Sequence, residues 1–345
     1  MTCWGTRSAG LDVTVGWHPG QVLGAEVLRV LRGDPTRRPT PDVALIAAAR
    51  AHLEAAAAAW AEAVPQGVVV RVTKEAVAGV RRCELRHLDG LGRRLEPGQP
   101  VPAVVRGRLV DAVFRQVATT GGVGDDPLAD AVAACAAEGE PVEADLTALS
   151  EDERQQVRAE VVAATATLVA SWPTLPVGAG LRTQERLLVA LAGGRVVLSG
   201  RPDLAIGRPT RHRAGVLVCE AKSGCFRAAH LEDLRFYALF EALRWGVAPF
   251  RGVVWSLGDG RLEALDIDAD LLWSETLRVA DAVNRLTRLA AGEAPRASAN
   301  PLCPSCPRLP GCADGARQVA LAGGALLDDS AEDEEDEDDL AELVR

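Results

Sequence analysis

Lysine is nearly missing from this chain. Its 345 residues hold two, Lys74 and Lys222, so 36 of the 38 basic side chains are arginine. Tyr237 is the sole tyrosine, and aromatic residues make up 4% of the sequence. So few lysines exclude lysine as the general solubilising cation, a role arginine fills. A lysine kept against that bias is a candidate for chemistry a guanidinium cannot supply, because an ammonium is a compact point charge with an adjustable pKa. Long apolar runs are lacking too. Residues 1–17 contain no apolar core of signal-peptide length. The stretch read as the most apolar helix, residues 161–172, is too short and too Thr-rich to span a bilayer. A cytoplasmic, nucleoid-associated protein with no membrane attachment is expected. No Gly-x-x-x-x-Gly-Lys-Ser/Thr loop occurs, which excludes a P-loop motor.

Charge is distributed unevenly. The net charge is −10, and residues 327–345 carry eleven acids against Arg345, so this tail accounts for the whole imbalance. The rest of the chain is neutral, which argues neither for nor against nucleic acid, since local arginine clustering decides. The tail reads as disordered. Eight cysteines in a reducing compartment point to metal ligands or free thiols rather than disulfides.

Composition divides the chain into an N-terminal region with an Ala-rich helix (1–69), a main domain (70–295, core 150–267), a Cys-rich segment (296–316) and the acidic tail (317–345). Residues 1–39 read as irregular. Thr40-Pro41-Asp42 opens a helix to about Val64, and Val68 to Val72 is a short strand. Thr73 caps a helix through Leu88 that carries Cys83, and Gly107 to Ala118 is helical. Ser150-Glu151-Asp152-Glu153 is a capping box opening a helix to about Ala170. Strands follow at 185–190, 195–199 and 215–221, then a helix at 231–245, strands at 252–257 and 261–267, and a long helix at 271–291. Helix, three strands, helix, strand is an α/β order.

Glu220 and Lys222, two apart on a strand, project to the same side. Asp203, within Gly200-Arg201-Pro202-Asp203, follows the neighbouring strand and lies beside Glu220 if the two strands pair. Two carboxylates about 4 Å apart repel by roughly 4 kcal/mol at an effective dielectric near 20. A hard divalent cation, magnesium or manganese, removes that penalty, with the Ala221 carbonyl as a further oxygen ligand. With a nearby ammonium to orient water and stabilise negative charge, the set suits phosphodiester hydrolysis. Cys303-Pro304-Ser305-Cys306 and Cys312 form a thiolate loop. It suits zinc with one more Cys or His, or an iron–sulfur cluster with a fourth Cys. Cys83 is the preferred fourth ligand among Cys3, Cys83, Cys135 and Cys225, while Cys219 reads as core.

Together these residues resemble the RecB-like branch of the PD-(D/E)xK nuclease superfamily, in its iron–sulfur form, as in the AddB nuclease domain and the CRISPR-associated RecB-like exonucleases. Gly200, Asp203, Glu220, Lys222 and Tyr237 match the family's order of Gly-x-x-Asp, Glu-x-Lys and Gln-x-x-x-Tyr. Cys83, Cys303, Cys306 and Cys312 match its early cysteine and its late Cys-x-x-Cys with a third beyond. The resemblance spans about residues 70–316. It implies a restriction-endonuclease-like core, a mixed sheet flanked by helices, with a helical N-terminal region and a C-terminal cluster loop. It implies a magnesium- or manganese-dependent deoxyribonuclease acting on single strands or duplex ends, in repair, recombination or CRISPR-related processing, beside a helicase or another protein of those pathways. Asp203, Glu220 and Lys222 would be catalytic. Tyr237, Arg201 and Arg235 would contact DNA, and a 4Fe-4S cluster would sit on the four cysteines. Two positions depart from the pattern. Asp111 stands where the family has a metal-binding His, and Asp233 where it has the Gln. A non-catalytic iron–sulfur DNA-binding or interaction subunit is the alternative those departures raise.

Overall fold

The computed structural model describes residues 24–40, 42–93, 100–210 and 213–321. Cys3 and most of the acidic tail lie outside the described residues. In chain order the elements are α1 (Gly24–Arg32), α2 (Val43–Ala61), β1 (Val70–Val72), α3 (Lys74–Arg82), α4 (Glu84–Arg93), α5 (Pro102–Thr120), α6 (Pro127–Ala137), α7 (Val142–Ala148), α8 (Glu151–Ser171), β2 (Arg182–Thr183), β3 (Leu187–Leu191), β4 (Val196–Gly200), β5 (Leu204–Gly207), β6 (Val216–Lys222), α9 (His230–Trp245), β7 (Arg251–Ser256), β8 (Arg261–Asp266), α10 (Ala269–Ala290) and α11 (Ala313–Leu321). They form two compact units, each assembled from non-contiguous pieces. One comprises residues 1–46, 100–186 and 201–272, the other 47–99, 187–200 and 273–345.

The first unit is built on a five-stranded sheet ordered β2-β5-β6-β7-β8. β6 and β7 are parallel, with α9 as their crossover, and the other pairs are antiparallel. Every residue of β6 is buried, which explains its unbroken apolar start, Val216 to Cys219: a strand covered on both faces has no solvent side to alternate toward. Leu217, Cys219 and Ala221 share one face with Val253 and Trp255, in a core with Leu109, Val113 and Phe114 of α5 and Val161 and Leu168 of α8. Trp172 stacks on Trp255 at 5.5 Å. The opposite face carries Val218, Glu220 and Lys222 in register with Gly252, Val254 and Ser256. α9 packs there. A Cβ on Gly252 would fall 3.0 Å from Leu234, so the missing side chain lets the helix close on the sheet. α8 starts at the expected capping box: the Glu153 amide donates to Ser150 Oγ at 3.3 Å, and the Ser150 amide donates to the Glu153 carboxylate at 2.8 Å.

The second unit holds a three-stranded sheet, β1-β4-β3, with β1 parallel and β3 antiparallel to β4. β3 buries Leu187, Val189 and Leu191 and exposes the residues between them, a half-buried strand read directly from its alternation. The helix expected to run through Cys83 breaks there instead. Cys83 is extended (φ −169, ψ 116) between α3 and α4. The next residue, Glu84, is 1% exposed. Its carboxylate accepts from the Arg288 guanidinium and, at 2.8 Å, from the Arg296 amide. Removing one member of such a buried pair leaves the other charged and dry. Glu84→Ala is therefore expected to destabilise the protein by about 3–5 kcal/mol, measured by chemical unfolding. Glu84→Gln should cost less, because it keeps the acceptor for Arg296.

Several expectations are corrected. Residues 24–32 are a helix, not irregular, and α6, α7 and α11 carried no expectation. α2 rather than 161–172 is the helix long and apolar enough to cross a membrane by length and composition. It buries Ala49, Leu53, Ala57 and Ala61. The strands at 195–199 and 215–221 do not belong to one sheet. β4 lies in the three-stranded sheet, and a short strand not anticipated, β5, is the partner of β6.

Candidate active site and thiol pocket

β5 changes how Asp203 reaches Glu220. Asp203 precedes β5 rather than ending the strand that pairs with β6. Leu204 pairs with Cys219, so Asp203 stands across from Glu220. Their side chains are 7% and 2% exposed. Directly opposed residues of an antiparallel pair hold their Cβ atoms about 4.5–5.5 Å apart, and like charges there repel. Both charges reach the neighbouring thiol: burial first, then Asp203 and Glu220, push the Cys219 thiol well above its ordinary range. The donor set, two buried carboxylates at a strand junction, fits a hard divalent cation. Among the described residues, no three His, Cys, Asp or Glu side chains converge as a ready-made ion site. Asp111 lies on α5, and its charge is felt by Arg115, whose guanidinium also bonds Glu138.

Asp203 is held from two sides. The Ala221 amide donates to Oδ2 at 2.8 Å, and the Gln184 side-chain amide donates to Oδ1 at 2.8 Å. Gln184 also donates its backbone N–H to the Asp203 carbonyl at 3.2 Å. Its φ of +49 lies in the left-handed region, a conformation that costs a non-glycine residue of order 1–3 kcal/mol and persists where the surroundings over-determine it. No sequence signal singles out Gln184, since a strained backbone leaves no compositional trace. Glu185 beside it pairs with Arg182 and Arg244 at 2.8 and 2.7 Å. Arg182 also binds the buried Glu241.

Lys222 projects from the end of β6, 7% exposed. Its ammonium lies 3.0 Å from the carboxylate of Asp233, in the first turn of α9. The one lysine placed at the site is thus matched by the residue that departs from the Gln-x-x-x-Tyr pattern. Ser256, in register with Lys222 on β7, is fully buried, and among the described residues its hydroxyl has no hydrogen-bond partner. Arg106 of α5 donates to Ser223 Oγ at 3.3 Å and to Glu160 at 2.8 Å. Burial pushes the Glu160 carboxyl up, but the bonds from Arg106 and Gln156 outweigh it and hold the group below its usual range. Neither Ser256 nor Arg106 is legible in the sequence. Each becomes part of the surroundings of Lys222 only through strand pairing or helix packing.

Tyr237 is 1% exposed, and its hydroxyl donates to the Arg201 carbonyl at 3.2 Å. In this arrangement it offers no ring face to a base. It fixes the turn that delivers Asp203. Arg201 and Arg235 are half-buried, and among the described residues Arg235 Nε has no hydrogen-bond partner.

The second unit brings four cysteines to one pocket. Cys83, Cys303, Cys306 and Cys312 line it together with Leu85, Leu302 and Leu309. The break at Cys83 turns its thiol out of the helical path. Asn300 and Gly315 donate backbone N–H groups to Cys303 Sγ and Cys312 Sγ, both at 3.3 Å. A Cβ on Gly315 would lie 3.4 Å from Cys312 Sγ and 3.7 Å from Cys303 Sγ, so glycine keeps the backbone close to both sulfurs. The other candidates for a fourth ligand are elsewhere. Burial, first of all, pushes the Cys135 thiol up to about 12. Its Sγ faces the Arg108 carbonyl at 3.8 Å. Cys225 is not among the residues that line the pocket, and Cys3 lies outside the described residues.

No curated protein matches the chain. A family model does, over residues 71–313, and its description is the PD-(D/E)XK nuclease superfamily. That match takes in Asp203, which lies just before β5, Glu220 and Lys222 of the buried strand β6, and all four pocket cysteines. The chain belongs to the PD-(D/E)XK nuclease superfamily.

Proposed function

We propose that this protein is a magnesium- or manganese-dependent deoxyribonuclease of the RecB-like, iron–sulfur kind, acting on single strands or DNA ends. The observation that carries this reading is the opposed pair Asp203 and Glu220 with Lys222 two residues on, all buried at the polar exit of an otherwise apolar strand. Superfamily membership brings a nucleic-acid substrate, hydrolysis, and the divalent metal typical of such nucleases. Asp203, Glu220 and the Ala221 carbonyl would hold that metal, which when bound supplies Lewis-acid activation of water and neutralises phosphate charge. Gln184 and the Ala221 amide orient the Asp203 carboxylate. The Lys222 ammonium positions the attacking water and meets the negative charge that develops on the phosphate. Tyr237 holds the Arg201 carbonyl and so the approach of the chain to Asp203. Arg201 and Arg235 would face the backbone phosphates.

Four thiols around one pocket, two of them with backbone N–H donors, suit a cluster ligated by Cys83, Cys303, Cys306 and Cys312. The spacing of one early cysteine and a late Cys-x-x-Cys with a third beyond favours a 4Fe-4S cluster, with zinc the alternative for the same thiolates. Repair or CRISPR-related processing beside a helicase is the setting this reading favours.

The Lys222–Asp233 pair favours one competing reading, a DNA-binding subunit that keeps the fold without cutting, because Asp233 offsets the charge a catalytic lysine needs. Incubation of anaerobically purified protein with end-labelled single-stranded DNA separates the two. Cleavage that requires manganese or magnesium, and that is lost in Asp203→Ala, is the expected result. Intact DNA with either metal, from protein whose cluster is fully loaded, would transfer the assignment to the binding subunit.

A further inference from the structure

In the first unit, three guanidinium groups gather at the sheet end opposite Lys222. Arg251 opens β7 in register with Leu217, whereas Ser256 closes it in register with Lys222. Five strand steps of about 3.3 Å separate the two ends by roughly 17 Å. Arg38 stacks on the ring of Phe250, 3.8 Å from its centroid. Arg213 sits in the β5–β6 loop, which closes through a bridge between Thr210 and Arg213. All three bind the backbone of one short segment. Arg251 donates to the Val30 carbonyl at 2.6 Å, Arg38 to Arg32 at 3.3 Å, and Arg213 to Pro35 at 2.7 Å. The mutual repulsion registers on Arg38, whose pKa is lowered by burial first and then by Arg213 and Arg251.

Arg251 is paired with Asp266 at 2.6 Å, and Asp34 accepts from Thr36. A guanidinium has five N–H donors. Among the described residues, Arg38 and Arg213 each spend one nitrogen on the hydrogen bonds above. Arg38 Nε is buried with no hydrogen-bond partner at all. Two stacked or anchored forks with unspent donors, beside a third guanidinium that Asp266 pairs, make a site for an anion with several oxygens in fixed geometry, which is the preference of arginine for phosphate.

We propose that Arg38 and Arg213, backed by Arg251, form a phosphate-binding site that grips the backbone of the nucleic-acid substrate outside the reactive centre. This rests on the reading that the substrate is nucleic acid, and its role is retention of the strand rather than chemistry. The body of the chain is electrically neutral, so a local cluster of this kind supplies the sequence-independent part of binding.

The test is binding, not turnover. Full-length protein and the Arg38→Ala/Arg213→Ala double variant are titrated, in EDTA, against a fluorescent single-stranded oligonucleotide over a range of salt. The double variant should bind roughly tenfold more weakly, with a salt slope shallower by about 1.4, because two phosphates of the single strand are no longer neutralised. Unchanged affinity and slope in a folded double variant would reduce the three arginines to caps of the α1 carbonyl end and overturn the proposal. Should the variant fail to fold, arginine-labelled wild-type protein is titrated with pyrophosphate and followed by NMR. A saturable shift of the Arg38 Nε–H signal supports the site, and no shift removes it. An Arg38 signal that ignores pyrophosphate but moves when residues 327–345 are deleted would assign the patch to the acidic tail instead. The pyrophosphate arm reads the site even if the protein proves not to be a nuclease, so the two failures are separable.

Discussion

Lys222→Ala is expected to lower the rate of DNA cleavage by roughly 100- to 1,000-fold, the loss that follows removal of one preorganised donor to developing negative charge. The same change should also destabilise the fold. Lys222 and Asp233 are 8% and 15% exposed at their side chains and 3.0 Å apart, between the surface and fully buried cases, so loss of the ammonium from beside Asp233 costs about 2–4 kcal/mol. The second effect makes a bare alanine variant ambiguous, because a slow enzyme and a loosened enzyme look alike. The double variant Lys222→Ala/Asp233→Ala separates them. It removes both charges, should recover most of the lost unfolding free energy, and should stay as inactive as the single variant. Single-turnover cleavage and urea unfolding measured on all three proteins decide the matter. If activity returned with stability, Lys222 would have no chemical role.

Asp233 then sets a further contrast. A Gln at this position would offer the ammonium an amide oxygen without a full charge. Asp233 instead neutralises much of the Lys222 field while the site is at rest. Asp233→Gln is therefore expected to leave KM for DNA near the wild-type value and to raise the single-turnover rate, because the lysine keeps a partner but regains its net charge. A fall in rate for this variant would mean that the full carboxylate is needed to hold Lys222 in place.

What the sequence makes legible follows from local periodicity. Glu220 and Lys222 share a face because a strand repeats every two residues, and β6 keeps that rule. The Ser150 capping box needs only four consecutive residues, and it is present. The pattern brings Asp203 to the right place by the wrong strand: β5, Leu204-Ala205-Ile206-Gly207, is too short and too close to Pro202 and Pro209 to stand out as a strand. Cys83 reads as helical because Lys74 to Leu88 is helix-forming throughout, and nothing local marks the break. The break is stabilised at a distance by Glu84 with Arg288 and Arg296, more than two hundred residues on. Gln184, Arg106, Ser256 and the pairing of Asp233 with Lys222 are likewise products of tertiary packing, and single-sequence patterns carry no record of them.

The segment that closes the second unit shows why its cysteines matter. From residue 291 to 321, Cys303 and Gly315 are the buried residues. Ordering a residue costs about 1–2 kcal/mol of backbone entropy, and a stretch with so little apolar burial has no hydrophobic term of matching size. The polar ties, Arg86 to the Leu302 carbonyl and Arg308 to Asp89, contribute about 1 kcal/mol each. A covalent link through the proposed cluster would supply what is missing, and it would close a loop of more than two hundred residues between Cys83 and Cys303. Cross-links over long loops stabilise by about 5 kcal/mol. Cys303→Ser is accordingly expected to abolish the brown colour of anaerobically purified protein and to lower Tm by roughly 7 °C. Residues 296–316 should become sensitive to limited proteolysis. Cys135→Ser, at a buried thiol of the first unit whose Sγ faces the Arg108 carbonyl, should leave the colour intact. Visible absorption together with iron and sulfide analysis of the two variants reads the outcome. Full colour in Cys303→Ser would exclude that residue as a ligand, and colourless wild-type protein carrying one equivalent of zinc would replace the cluster with a tetrahedral thiolate site.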